Sequence, residues 1–234
     1  MTESEAGCHQ GTDVQTNIVA AFHRTARLMR AAIFDDDRLM PTSAPEDATI
    51  AASGWVGPDW KSGGTLLMGI NPGGGGDRYR GNPTDQRLYG LLQQFRDADD
   101  VKEQRAALRR LSDAWMDIQS THAIRRVTSA VLDAVGECDV TSAFMNVLPF
   151  RTREDKPARA GELRRAWTIA TGPQVAALKP RRIVALGCKA HDALVAAGAA
   201  VDYEIVLIKR AIGDTSIPPH ARETLARLKQ ERQQ

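Results

Sequence analysis

The sequence predicts an α/β protein, a three-layer α/β/α sandwich around a central, mostly parallel four-stranded sheet. Four short apolar runs lead to this: TLLMGI (65–70), CDVTSAFMNVL (138–148), RRIVALG (181–187) and YEIVLI (203–208). Continuous apolar character over so few residues is how strands buried on both faces look. Stretches with helical spacing separate the runs. Strands that alternate with helices imply parallel pairing through right-handed crossovers.

The elements follow in order. MTESEAGCHQGTDVQTN at the start is acidic and polar. It has neither the basic start nor the apolar block of a signal peptide, and residues 1–15 read as a disordered tail. The rest, 16–234, reads as a single domain without repeats or a dividing linker. TNIVAAFHRTARLMRAAIF (16–34) has the apolar spacing of an amphipathic helix. A loop rich in Pro, Ser and Asp follows to residue 63. After the first strand, Thr84 is placed to cap a helix through RLYGLLQQF, and charged helical sequence extends from about Val101 to Val135. A helix over 161–178 is stopped by Lys179-Pro180. Gly187 ends the third strand before a helix over 189–197. Pro219 opens the last helix, at a position where proline is tolerated.

The 234 residues, 42% of them hydrophobic, suffice for one full core. No apolar stretch reaches the roughly 18 residues that span a membrane. Cys8, Cys138 and Cys188 are far apart and odd in number. They predict neither a disulfide framework nor a metal site, and a cytoplasmic protein is expected. From Asn146 onward there are 16 Lys and Arg against 9 Asp and Glu, although the whole chain carries only +2. A basic half suits a polyanion such as DNA, and it equally suits a solvated surface.

Ligands of such folds gather outside the carboxyl ends of the strands. That singles out 69–85, 146–156 and 209–220. The first contains GINPGGGG (69–76). Glycines after a strand allow close backbone approach and present N–H groups to an anion. The dinucleotide pattern G-x-G-x-x-G is absent except trivially, and no Gly-Lys-Ser/Thr follows. Glycines alone would therefore be an ordinary loop. Asn71 adds chemistry. Its carbonyl accepts a hydrogen bond and can hold a water without a charge that repels phosphates, and Pro72 stiffens the exit.

Gly69-Ile70-Asn71-Pro72-Gly73 after an apolar strand resembles the first motif of the uracil-DNA glycosylase superfamily, closest to its mismatch-specific and single-strand-selective branches. FMNVLPFR (144–151) resembles the strand that carries that superfamily's uracil-reading asparagine. LKPRRIVALGCKAHDALV (178–195) resembles its later strand–helix unit. The three segments keep order and spacing over roughly 65–208, with a long helical insertion between the first two.

The resemblance implies an enzyme that extrudes a nucleotide, reads the base, stabilises negative charge on its O2 and places one water. Asn71 would position that water, as the catalytic residue. Asn146 would pair with uracil O4 and N3–H, a pattern opposite to that of cytosine. Backbone N–H groups around Ile70 to Gly73 would hold O2, and Pro72, which has no N–H, belongs to the same base-binding stretch. Tyr79 is the candidate stacking aromatic, with Phe150 as another wall and Tyr89 assigned to the core. Arg78, Arg80, Arg151, Arg153, Lys156, Arg210, Ser216 and Ile217 are the candidate DNA-facing residues, with uracil-containing DNA as partner, no cofactor and a monomer expected.

One motif departs. The superfamily's last motif reads His-Pro-Ser or Asn-Pro-Ser after the fourth strand. Here the stretch is IKRAIGDTSIPPHARE (208–223). Arg210, Ser216 and His220 become the candidate O2 donors, and Ile212 or Ile217 the candidate wedge. The four cysteines of the iron–sulfur branch are missing, so neither cluster nor metal is expected. His122 and His191 fall in helical sequence and are assigned structural or surface roles. Two other classes stay open: a uracil-DNA-binding relative without catalysis, and a hydrolase of free nucleotides whose glycines cradle a phosphate.

Overall fold

The computed structural model describes residues 6–41, 49–72, 83–119, 124–153, 156–210 and 217–233. The first helix, α1 (Ala6–Ala26), turns Ile18, Val19, Phe22 and Ala26 into the core at helical spacing. It starts ten residues before the expected Thr16, so the predicted tail is helical from Ala6. It also stops short of Phe34. Two 3-10 turns follow, Arg30–Ala32 and Asp37–Leu39, and Asp36 Oδ1 accepts from Arg38 N at 3.1 Å in the second. Breaking the helix lets Ile33, Phe34 and Leu39 all enter the core.

The sheet has five strands, β1 (Trp55–Val56), β2 (Thr65–Gly69), β3 (Ala143–Asn146), β4 (Arg182–Leu186) and β5 (Ile205–Ile208), in the order β1-β3-β2-β4-β5. The four expected strands are the parallel ones. The fifth, β1, pairs antiparallel with β3 at the edge, which corrects the four-stranded prediction. Two residues are too few for any period-2 signal. What holds β1 is tertiary: Trp55 stacks on Phe144 with ring centroids 6.3 Å apart. Gly54, at φ +84, lets the chain approach β3 where a Cβ would run into the Phe144 carbonyl.

The strands send alternate residues to two apolar clusters on opposite faces. Leu66, Met68, Ala143, Met145, Ile183 and Ala185 join the larger cluster. Leu67, Phe144, Val184 and Leu186 join the smaller one. The helical stretch expected over 101–135 divides accordingly. After α2 (Pro83–Asp97), α3 (Val101–Gln119) packs on α1, α2 and β1, whereas α4 (Arg125–Val135) packs on β2 and the last helix. One straight helix cannot cover both faces of a sheet.

Between β3 and β4 run α5 (Ala160–Ala166) and α6 (Gly172–Leu178), joined by a π-helical turn, Trp167–Thr171. Lys179 ends α6 in the left-handed conformation, φ 49, ψ 57. The helix α7 (Cys188–Ala197) connects β4 to β5, and α8 (Pro219–Gln233) covers the smaller cluster with Ala221 and Leu228. No helix among the described residues is long and apolar enough to cross a membrane.

Candidate functional site

The carboxyl ends of β2 and β3 bring the two predicted asparagines onto adjacent strands. Asn146 is the last residue of β3 and pairs in register with Gly69, the last of β2. The pairing continues past both ends, with Val147 N donating to Gly69 O at 3.0 Å and Leu148 N to Ile70 O at 2.9 Å. Asn71 therefore leaves β2 beside a chain that is still bonded to its neighbour.

Both carboxamides are nearly buried, Asn71 at 9% exposure and Asn146 at 8%. Their environments differ. Asn71 Nδ2 donates to Pro72 O at 3.1 Å and to Thr152 Oγ1 at 3.2 Å. Two amide hydrogens thus meet two acceptors, which orients the group and sets Oδ1 as its accepting end. Around Asn146 the fit is steric. A Cβ on Gly69 would lie 2.5 Å from Asn146 Oδ1 and 3.6 Å from the Phe144 ring. Among the described residues no group hydrogen-bonds to the Asn146 amide.

The segment that follows Asn146 is held from several sides. Thr171 Oγ1, from the π-helical turn, donates to Val147 O at 2.8 Å. Ala52 N donates to Pro149 O at 2.6 Å. The buried Arg30 donates from Nη1 to Arg151 O and from Nη2 to Leu39 O, each at 2.8 Å. Its guanidinium lies 4.2 Å from the Phe34 ring centroid. Burial lowers the pKa of Arg30 below the ordinary arginine value, and Asp37 and Glu162 nearby act against this. These contacts fix Thr152, and through it Asn71.

The remaining predicted residues fall out as follows. Ile70 is half-buried against the larger cluster and Pro72 is buried. Gly73, Arg78, Tyr79, Arg80, Ile212, Ser216 and His122 lie outside the described residues. Phe150 is fully buried in an edge contact with Phe34, 6.2 Å between centroids, so it is core and not a wall of the site. Tyr89 is core as expected, and its hydroxyl also accepts from Arg151 Nε. The Arg151 guanidinium lies 5.1 Å from the Tyr89 ring centroid. Arg153 is half-buried and Lys156 exposed, joined by a turn from Lys156 N to Arg153 O at 3.0 Å. Ile217 is half-buried and packs against the smaller cluster. His220 is exposed near the start of α8, and His191 Nδ1 lies 3.2 Å from its neighbour Asp192.

Arg210 reaches back from beyond β5. Its Nε donates to Leu186 O at 3.3 Å at the end of β4. Its stem runs over Gly187, with Arg210 Cγ 3.6 Å from where a Cβ would stand; the φ of +107 there is what favours glycine. Burial lowers its pKa.

Thr152, Thr171 and Arg30 are the supporting residues that sequence patterns did not single out. The contacts of Thr152 and Arg30 cross 81 and 121 residues, and no local signal reports such a distance. A groove of about 420 Å³ lined by Arg27, Met29, Arg96, Asp97 and Asp99 shares no residue with the strand-end set. Among the described residues no cluster of His, Cys, Asp or Glu could hold a metal ion. Comparison with known proteins finds no family model and no curated protein that matches the chain.

Proposed function

We propose that the chain is a monofunctional DNA glycosylase that hydrolyses the N-glycosidic bond of uracil, and of related deaminated bases, within a three-layer α/β/α frame of the uracil-DNA glycosylase type. One observation carries the reading. Two near-buried carboxamides stand at the carboxyl ends of adjacent parallel strands, one oriented by protein groups and one without a hydrogen-bond partner among the described residues.

In this reading the nucleotide is extruded and the Asn146 amide meets the base edge, accepting from N3–H and donating to O4. Asn71 Oδ1 accepts from a water aimed at the anomeric carbon. The C1′–N1 bond breaks, and its electron pair leaves with the base as an anion. The water oxygen bonds C1′, and its proton passes through solvent to neutralise the base. Asn71 carries no charge and takes no proton, so it positions the water and does not ionise it. A modest rate follows. Arg151, Arg153, Lys156 and Arg210 border the strand ends and would meet backbone phosphates. A cytoplasmic setting and a monomeric state belong to the same proposal.

The test is alkaline strand cleavage of end-labelled duplexes carrying one U opposite G or A, with a matched T control. Abasic product from the U strand alone is expected, and Asn71→Ala and Asn146→Ala should each abolish it. The stretch 208–223 lacks His-Pro-Ser, which favours one second reading. If there is no product but the same duplex is still bound, the chain is a uracil-DNA-binding relative without the chemistry.

A further inference from the structure

β5 is the last strand at one edge of the sheet. Its pairing with β4 runs unbroken from Ile183 and Ile205 to Leu186 and Ile208. Ile183 N donates to Glu204 O and Gly187 N donates to Ile208 O, each at 2.9 Å. In a parallel ladder of this phase residues 204, 206 and 208 direct their backbone groups to β4. The N–H and C=O of Ile205 and Leu207 therefore point away from the sheet. Neither residue has a further hydrogen bond, to backbone or side chain, among the described residues.

The opposite edge is closed. There α3 packs on β1, and its Ser112 Oγ accepts from Val56 N at 3.2 Å. Among the described residues no such bond closes β5. Nor does β5 carry the devices that keep edges from pairing: it has no proline, no bulge and no charge between Glu204 and Lys209. Val206 and Ile208 are buried in the smaller cluster, whereas Ile205 and Leu207 are half-buried. Four residues lie within the usual length of a paired strand.

The flanking charges select an occupant. Glu204 and Lys209 are both exposed and stand at the two ends of the open edge. Glu204 lies 4.0 Å from Arg182, whose nearer partner is Glu231 at 3.1 Å. Antiparallel pairing is the more stable kind, and opposite charges that face each other across a pair stabilise it.

We propose that the edge of β5 takes up an extended segment of a partner protein as an added antiparallel strand. Read from its N-terminus, that segment presents an acidic residue to Lys209, β-branched or apolar residues to Ile208 through Ile205, and a basic residue to Glu204. Main-chain bonds to Ile205 and Leu207 hold it, and the two charges fix its register. With strands about 4.8 Å apart, the added strand lies about 14 Å from β2 and leaves Asn71 and Asn146 uncovered. The proposal stands apart from the glycosylase reading.

The probe is the capped peptide Glu-Thr-Ile-Thr-Val-Lys, added at millimolar concentration to the isotope-labelled full chain, with amide exchange followed by NMR. Two methylated forms accompany it. N-methylation at its third and fifth residues removes the donors that face Leu207 and Ile205. N-methylation at its second and fourth removes donors that face solvent. In the dilute free chain the amides of Val206 and Ile208 should exchange slowly and those of Ile205 and Leu207 fast. The peptide and its outward-methylated form should slow exchange at Ile205 and Leu207 by about tenfold or more, and the inward-methylated form should not. Lys209→Glu, at unchanged Tm, should weaken the peptide about fivefold, and a peptide with Lys in place of its Glu should recover the loss. Equal protection by all three peptides, or by none, would overturn the proposal, as would a Lys209→Glu variant that binds like the native chain. Protection of Ile205 and Leu207 in the dilute free chain would show the edge to be closed already. Protection that rises with protein concentration without peptide would give the edge to a second copy of the chain, and the partner assignment would fall.

Discussion

Asn146 Oδ1 occupies the space that a side chain on Gly69 would need, 2.5 Å from the position of a Cβ there. The two residues are register partners at the ends of β3 and β2. Glycine at 69 is thus a steric condition for the orientation of the asparagine.

Gly69→Ala should therefore displace the Asn146 carboxamide. The clash is with the far end of a side chain, which can turn away, so the stability cost should stay at or below about 1 kcal/mol. The expected result is a modest loss in urea denaturation together with loss of uracil release. Alanine at 69 with native release would show that the Asn146 orientation is irrelevant.

Thr152→Val should leave one Asn71 N–H without its acceptor. The stability cost is about 1–3 kcal/mol, because the bond is buried. Single-turnover release should fall by about tenfold, the equivalent of about 1.4 kcal/mol, as the carboxamide loses its fixed orientation. Thr152→Ser keeps the oxygen and should retain most of the rate. A serine variant as slow as the valine variant would point to packing of the methyl group and away from the hydroxyl.

Asn146→Ala removes a group with no hydrogen-bond partner among the described residues. Stability should stay within about 0.5 kcal/mol of the native chain, or rise. Activity should be lost. A large loss of stability in urea would mean that the amide serves the fold.

Arg30→Met should unfold the protein far more readily than a surface arginine does. It strips the donors from two carbonyls, those of Arg151 and Leu39, at about 1–3 kcal/mol each. Arg109→Ala breaks an exposed pair with Asp113 on α3 and should cost no more than about 0.5 kcal/mol. Urea midpoints of the two variants decide the comparison, and equal midpoints would remove Arg30 from its structural role.

His23 predicts a pH dependence. Burial lowers its pKa below the ordinary 6.5, and the charge of Arg27 acts in the same direction. Its Nε2–H bond to Arg96 O, 3.2 Å, works against this. The folded state binds the proton less readily than the unfolded chain. The contribution of His23 is therefore fully present above pH 6.5 and is lost as pH falls below it. His23→Gln keeps an N–H donor but does not titrate there, so the native-minus-variant stability difference should fall between about pH 8 and about pH 5. A difference that stays constant across that range would show that His23 does not titrate there.

Several features were legible in the chain itself. Short apolar runs over 65–70, 138–148, 181–187 and 203–208 give strands whose neighbours on both faces are apolar, so β2 to β5 appear within the runs. Lys179-Pro180 and Pro219 mark helix ends because their effect on the backbone is local. The two asparagines were legible as well, since Asn71 follows one such run and Asn146 lies near the end of another. Other features depended on distant partners. β1 forms because Trp55 meets Phe144 across the sheet. The helical stretch 101–135 breaks because its two halves serve opposite faces. Phe150 looked like a wall of the site and is core, because Phe34 and Arg30 close over it. The sequence by itself determined which residues carry hydrogen-bonding groups at the strand ends. The tertiary structure alone decided which of those groups meets a partner among the described residues, as Asn71 meets Thr152, and which does not, as at Asn146. Hydrogen bonds and steric fits between residues 81 or 77 positions apart depend on the packed fold and leave no mark on local sequence.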